Sequence, residues 1–375
     1  MKVSILQENL SKALVHVTKA VSSKPSIPVL SNVLIEAKKG KIKLSATDLE
    51  TGINIWLGGD IESEGAITVS ARLLSEFVSS LKSGKLTLEY EKSVLKVESE
   101  DNSAEFTTIG ADEFPLVPMP EGEALMSLNA IEFADGISQV TFATAHDDSR
   151  PVLTGVLFEA SERHLNMIGV DGFRLSKKTL KVDKGAKTEW SQIVPAKALD
   201  ELANIVRDMA TEKDNVEAFL LDDKNQILFV IDDVQLSTRL IEGKFPDYKG
   251  IMPKENSYKF DILKEELASV VKVAGIFARN VIGNKTRFLI DPETRKLKLA
   301  ASVVDVGQNE STASLVEVEG DKLETAYNAK FLSDMLNAVK GEEIIFETNG
   351  VTAPGVFKDK EDPEFLHIIM PMRIE

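Results

Sequence analysis

Cysteine is absent from the 375 residues, so disulfides and thiolate metal sites are excluded, and a reducing compartment is the expected home. Histidine is scarce: His16, His146, His164 and His367 lie far apart in sequence. No apolar run approaches the roughly 18 residues that a membrane span needs. The opening MKVSILQENLSKAL interrupts its apolar residues with Gln7, Glu8, Asn9 and Lys12, unlike a secretory signal. The expectation is a soluble, cytoplasmic protein with no membrane partner. Catalytic signatures are missing too. There is no G-x-x-x-x-G-K-[ST] phosphate loop, no G-x-G-x-x-G, no H-E-x-x-H and no G-x-S-x-G. No cofactor, no metal and no catalytic residue is expected.

Basic residues are outnumbered, 44 against 60 acids, for a net charge of −16. That opposes broad, non-specific adhesion to nucleic acid or anionic membrane. It leaves room for a local basic face on an acidic exterior.

What is present is a repeat. The stretch VPAKALDELANIV at 194–206 has relatives in VSARLLSEFVSSL at 69–81 and YNAKFLSDMLNAV at 327–339. Aligned on Ala71, Ala196 and Ala329, the apolar residues coincide: Leu74, Phe77, Val78 and Leu81; Leu199, Leu202, Ala203 and Val206; Leu332, Met335, Leu336 and Val339. The i, i+3, i+4, i+7 spacing predicts a helix with one buried face in each case. The alanines are 125 and 133 residues apart, too far for a solenoid repeat and about right for a domain. Three copies of one domain are expected, at 1–120, 121–250 and 251–375. The boundaries fall at segments rich in Pro, Gly and charge, 116–123 and 247–256.

Each repeated helix carries a base directly after its alanine, Arg72, Lys197 and Lys330, and another ten residues on, Lys82, Arg207 and Lys340. The late bases suit the negative end of the helix dipole, whereas the early ones oppose its positive end. At 100° per residue Arg72 points away from the apolar stripe. A solvated charge would explain any one of these; three in register favour a common surface that faces a polyanion.

A second helix in each third is expected from Leu10, Ala13, Leu14, Val17 and Val21, from Phe133, Ile137 and Val140, and from Leu267, Val270, Val271, Ala274 and Phe277. Strand pairs are expected about Lys38-Lys39-Gly40, about Lys92-Ser93 and across 157–170. Phe114-Pro115 and Phe245-Pro246 are expected to end strands, since proline cannot donate to a ladder. His146-Asp147-Asp148 reads as a polar loop rather than a metal site, and the acids at Asp222-Asp223 and Asp232-Asp233 as turns. Asp171-Gly172-Phe173-Arg174 reads as a turn with a charged exit. The ending HIIMPMRIE sets Met370 and Met372 about Pro371, which suits either a last core strand or a surface that accepts varied partners.

Six segments in order, KPSIPVL at 24–30, TDLE at 47–50, RPVLTG at 150–155, VDGFRL at 170–175, FPDY at 245–248 and MPMR at 370–373, resemble the bacterial DNA polymerase III beta subunit, the sliding clamp family, over essentially the whole chain. The resemblance implies an α+β fold of three repeated domains, each with two helices packed on antiparallel sheets. It implies a head-to-tail homodimer, a closed ring around double-stranded DNA with twelve helices lining the hole. The implied role is processivity, and the implied partners are the polymerase III alpha subunit, the clamp loader and other proteins that carry a clamp-binding peptide, a glutamine followed by an apolar pair. The implied peptide groove comprises Leu153, Val170, Gly172, Phe173, Arg174, Leu175, Pro246, Val351, Met370, Pro371, Met372 and Arg373, with Asn328 nearby. Lys24 and Arg150 match DNA-proximal positions and join Arg72, Lys197 and Lys330. Phe106 and Ile109 match one side of the subunit interface, with Ile276 and Phe277 on the other. A reading from another class is a monomeric three-domain scaffold that binds peptides and never meets DNA.

Overall fold

The computed structural model describes the chain apart from Ser23, Lys24, Ser26, Asp148, 222–224, Lys254, Glu255, Val281, 304–306 and Glu375, and apart from the side chain of Ile282. Its helices are α1 (Gln7–Val17), α2 (Ala71–Ser80), α3 (Ala130–Thr141), α4 (Ala196–Met209), α5 (Lys264–Ala278) and α6 (Ala329–Ala338). Their ends are stabilised unequally. Asn328 caps α6, its side chain accepting from the backbone N–H groups of Lys330 and Phe331, and Glu265 and Glu266 complement the dipole in the first turn of α5. Helix α2 has no side-chain cap and no acid in its first turn. Ten residues of that kind do not hold a helix in water; the burial of Ala71, Leu74 and Val78 does.

The apolar stripes fall on buried faces as expected, with local differences. Leu81 and Val339 lie just past their helix ends, at the C-cap positions. Val21 is outside its helix: α1 ends at Val17 and one 3-10 turn, Thr18–Ala20, follows. In α4 the buried face is wider than the repeat, taking in Ala198 and Ile205.

One motif occurs six times among the described residues, twice in each third: a strand runs straight into a helix, and three strands follow, with a short fourth, Asp60–Ser63 or Glu317–Glu319, after α1 and α5. The leading strands are Lys2–Leu6, Gly65–Ser70, Met126–Asn129, Trp190–Pro195, Tyr258–Leu263 and Leu323–Asn328. They are exchanged. Lys2–Leu6 pairs with Lys85–Glu91 after α2, while Gly65–Ser70 pairs with Asn32–Lys38 after α1. The same exchange joins Met126–Asn129 to Asn215–Leu221 and Trp190–Pro195 to Gly155–Ala160. It recurs between Tyr258–Leu263 and Glu343–Thr348, and between Leu323–Asn328 and Lys285–Asp291. Each motif therefore completes its sheet only with its neighbour.

The chain forms two compact units. The first comprises Met1–Ala134, Val182–Lys187 and Lys197–Leu240 and holds a thirteen-stranded sheet. Within it Thr51–Gly58 pairs antiparallel with Val234–Arg239, Ile55 opposite Val234. His16 is buried near this junction, with Nδ1 3.0 Å from Glu201 Oε1 and Nε2 2.9 Å from Asp208 Oδ2. The second comprises Asp135–Lys181, Thr188–Ala196 and Ile241–Glu375, with a nine-stranded and a four-stranded sheet. There Arg174–Lys181 pairs antiparallel with Phe365–Ile369, Arg174 opposite Ile369. Gln139, at the position on α3 that His16 holds on α1, donates to Ala338 O at 3.4 Å, and Lys178 Nζ donates to Asp362 Oδ1 at 2.6 Å.

The hairpins form where expected. Lys39 and Gly40 have φ of 50° and 78°, and Lys92 and Ser93 have 49° and 66°, the paired positive values of a tight two-residue turn. The two Phe-Pro pairs do not end strands. The strands before them stop at Ile109 and Arg239, several residues earlier, where their ladders run out. Asp147 lies in a turn, its carboxylate accepting from Ser149 N at 3.0 Å. Asp148 and the Asp222-Asp223 pair lie outside the described residues.

His367 lies in the strand Phe365–Ile369, fully buried, 5.2 Å from the Phe142 ring, and neither ring nitrogen has a hydrogen-bond partner among the described residues. Burial, assisted by the nearby Arg174 charge, pushes the imidazole down from 6.5 to about 3. The folded state therefore excludes a proton that the unfolded chain accepts. The contribution is complete above pH 6.5 and is lost as pH falls towards 3. Between pH 6.5 and 4.5 the loss should be about 2 kcal/mol. Urea unfolding of the wild type and of His367→Leu at both pH values checks this. The wild type should lose more stability on acidification than the variant; parallel losses would refute the assignment.

Candidate functional site

The 171–174 turn is set by one aspartate. Asp171 Oδ1 accepts from Phe173 N at 2.8 Å and Arg174 N at 2.9 Å, which forces Gly172 to a φ of 97°. A side chain there would be strained, and a Cβ would stand 3.0 Å from Arg150 Nη1. Phe173 is left 63% exposed at the tip.

The C-terminal segment is tied to this turn at one end and to the third repeat at the other. Met370 N donates to Phe173 O at 2.9 Å, and Met372 N donates to Ala326 O at 2.8 Å. Met372 packs over Gly283, where an added Cβ would meet its Cε at 2.6 Å. Pro371 is half-buried and Arg373 exposed. The strand that holds Ala326 ends at the α6 cap, Asn328, and its Thr325 hydroxyl donates to Val351 O at 3.4 Å. Val351 and Met370 are both well exposed. Beneath, Leu153, Val170 and Leu175 are buried in one apolar cluster with Phe245, Tyr248 and Ile368. Pro246 is exposed next to it. The 171–174 turn, the tail and the strand before α6 are thus joined within the second unit.

Four of the expected groove residues are buried. Leu153, Val170 and Leu175 lie in the apolar cluster. Arg174 is 5% exposed; Nε donates to Asp171 Oδ2 at 3.0 Å, Nη1 to Asp334 Oδ2 at 2.7 Å and Nη2 to Phe142 O at 2.6 Å. Its guanidinium also lies 4.4 Å from the Phe331 ring centroid. It braces the turn from inside. Nearby, Ile251 is exposed one turn beyond Tyr248 and Met252 packs against the apolar cluster; both belong to the stretch FPDYKGIMP, whose apolar residues beside glycine suit a peptide groove by composition though neither was expected singly. A separate cleft of about 500 Å³ lies between 243–249 and Leu157, Glu159 and Ile193, where the Tyr248 hydroxyl donates to Glu159 at 2.7 Å.

The repeated bases are exposed on α2, α4 and α6. Among the described residues Arg72 and Lys197 have no hydrogen-bonding or ionic partner, whereas Lys330 Nζ donates to both Asp334 oxygens at 2.9 Å. The later bases are engaged: Lys82 pairs with Asp101 at 3.4 Å, Arg207 donates to Ala134 O at 3.3 Å and Lys340 pairs with Asp135. Arg150 is exposed, with Nη2 donating to Asp171 O at 3.0 Å. Lys24 lies outside the described residues.

At the expected interface the residues differ in kind. Phe106 is 5% exposed, its ring edge-on to Phe77 at 5.6 Å, so it belongs to the core of its own unit. Ile109 is half-buried. Ile276 is 57% exposed, and Phe277 packs on the core of the third repeat. Two strands with edges left wholly or partly open among the described residues bear on this interface, one carrying Phe106 and Ile109 and one packed on α5. Ser103–Ile109 is bonded on one side to Val94–Glu98 and on the other only at Thr108 and Ile109. Gly307–Ser314 pairs on one side only, with Lys296–Val303.

Comparison with known proteins fits this architecture. The DNA polymerase III beta subunit family models match in chain order, the N-terminal domain at 1–118, the central domain at 127–247 and the C-terminal domain at 249–373. The beta sliding clamp of Synechococcus elongatus is 30% identical over 380 residues, and that of Bacillus subtilis 25% over 383, each alignment covering 100% of both chains. The sliding clamp of Pseudomonas aeruginosa bound to griselimycin superposes with a TM-score of 0.91 at 26% identity, and the DNA polymerase III beta subunit of Thermotoga maritima with 0.91 at 25%, each over 100% of both chains. With three domain models in order and a 30% identical relative matched end to end, this chain belongs to the beta sliding clamp family, the beta subunits of DNA polymerase III.

Proposed function

We propose that two copies of this chain close head to tail into a ring around double-stranded DNA in the cytoplasm, and that the ring confers processivity without catalysing a reaction. The observation that carries this reading is the pattern of third strands. Twice within the chain, the third strand after one helix pairs antiparallel with the third strand after a helix in the next third: Thr51–Gly58 with Val234–Arg239, and Arg174–Lys181 with Phe365–Ile369. By the same rule Gly307–Ser314 pairs with Ser103–Ile109 of a second copy. Unpaired edges invite association, and only closure satisfies both. Ile109, Ile276 and Phe277 then supply apolar contact beside the new ladder, with Phe106 supporting it from the core.

In that ring Arg72, Lys197, Lys330 and Arg150 face the duplex. Lys24 is assigned to the same surface on the family resemblance alone. An acidic exterior keeps DNA in the hole, so phosphate contacts can be few and mobile. The domains take the bounds 1–120, 121–250 and 251–375. A threaded ring is held by topology, whereas contacts alone weaken steeply with salt. Loaded protein should therefore survive moderate salt on circular DNA and be lost once the circle is cut. Equal loss from circular and linear molecules would refute the ring, as would sedimentation at the mass of one chain, the result expected of a monomeric scaffold.

The groove about Phe173, Val351 and Met370–Arg373 takes the peptide motifs of the polymerase III alpha subunit, the clamp loader and other clamp-binding proteins. A short motif buries few side chains, each contributing roughly 1.5–3 kcal/mol. After ordering costs, a micromolar Kd, about −8 kcal/mol, is the expected ceiling for one motif. Removal of residues 370–375 should abolish most of that binding and leave the dimer intact. Titration of a labelled peptide, with sedimentation of both proteins, checks this. Unchanged affinity in the truncated dimer would place the groove elsewhere.

A further inference from the structure

The carboxylate of Asp334 is shared. On one side it accepts from Arg174 Nη1 at 2.7 Å, where the arginine side chain is 4% exposed; on the other it accepts from Lys330 Nζ at 2.9 Å, where the lysine is 65% exposed. Arg174 holds the 171–174 turn through Asp171 Oδ2, and that turn holds Met370. Lys330 belongs to a different place: a cleft of about 450 Å³ between α5 and α6, whose walls carry Lys272, Arg279 and Lys330 and, among its described lining residues, Asp334 as the one acid. Lys272 and Arg279 are exposed and have no ionic partner among the described residues. The cleft is therefore cationic in excess, with one acid that is already claimed from behind.

The two bonds to Asp334 are of unequal strength. A pair with an exposed lysine competes with water and gains little, while a charge-assisted bond from a buried guanidinium is strong and costly to lose. An anion that enters the cleft competes for Lys330, which releases carboxylate charge to Arg174. We propose that a DNA backbone phosphate bound between Lys272, Arg279 and Lys330 draws Lys330 off Asp334, and that Asp334, then held by Arg174 alone, firms the 171–174 turn and raises the affinity of the groove for peptide. The proposal rests on the reading of that groove as the peptide site and adds a direction to it: DNA in the ring prepares the groove. By reciprocity, peptide raises the affinity of the cleft for DNA by the same factor.

The test titrates a labelled peptide, with a glutamine followed by an apolar pair, into the intact protein with and without a short DNA duplex. The duplex is used at a concentration where its own anisotropy reports binding. The duplex should tighten peptide binding about fivefold, the lower end of ordinary coupling. Lys330→Gln, a surface change, should bind peptide as tightly as the duplex-bound wild type and gain nothing further from duplex. Asp334→Asn should bind peptide more weakly than the wild type and not respond. Amide exchange at Phe173 and Arg174 should slow when duplex binds the wild type. Equal peptide affinity with and without duplex, together with an unchanged Lys330→Gln, would overturn the coupling and leave the groove standing. The same tightening from inorganic phosphate alone would overturn DNA as the source. No peptide binding by the wild type in either condition would overturn the groove reading and the coupling with it.

Discussion

Each of the α-helices α1 to α6 is entered from a strand that pairs with a strand from the other half of the same third. Neither half can satisfy its backbone alone, because a leading strand left in place would expose a ladder edge to water or to another chain. The exchange ties two motifs together through their sheets, and in the first and last thirds it sets their helices against each other, α1 on α2 and α5 on α6. It also leaves the third strand after each helix with one side free to pair outside its own third, as Thr51–Gly58 and Arg174–Lys181 do. The junctions between thirds and the proposed second copy follow from where those strands fall.

The helices inherit their roles from this arrangement. Their inner faces are apolar and close the cores, and their outer faces are left for charge. Bases near the helix ends are consumed by local partners, as with Lys82, Arg207 and Lys340. First-turn bases are disfavoured by the dipole, yet among the described residues Arg72 and Lys197 have no ionic partner. A chain with 16 more acids than bases could neutralise them with nearby carboxylates. Among the described residues Lys330 is the first-turn base that is paired, and its partner Asp334 is the residue that Arg174 also needs.

The groove region depends on that buried arginine. Three donors of Arg174 are used within the protein, and the ring of Phe331 covers its face. An arginine so placed fixes backbone rather than ligand, since removing its partners would strand a charge in a dry site. Phe173, Val351 and Met370 can then stand exposed on a rigid frame. Flexible methionines over a fixed floor suit a surface that accepts several related peptides.

The triple helix repeat, its apolar stripe, the tight hairpins and the outward bases were legible in the sequence, because each depends on neighbours within about ten residues. The spacing of Leu199, Leu202, Ala203 and Val206 determines a buried face whatever lies opposite, and Asp171-Gly172 determines a turn through its own side chain. Six motifs rather than three, the exchange of leading strands and the choice of open edges were decided only by tertiary structure. Strand pairing is a contact between segments tens to hundreds of residues apart, and alternation along a strand says which face is buried but not which strand is the partner. The same limit governed single residues. The resemblance places Arg174 in the groove and Phe106 at the interface, but whether a side chain is offered or buried depends on what packs over it: Phe331 and Asp334 for one, Phe77 for the other.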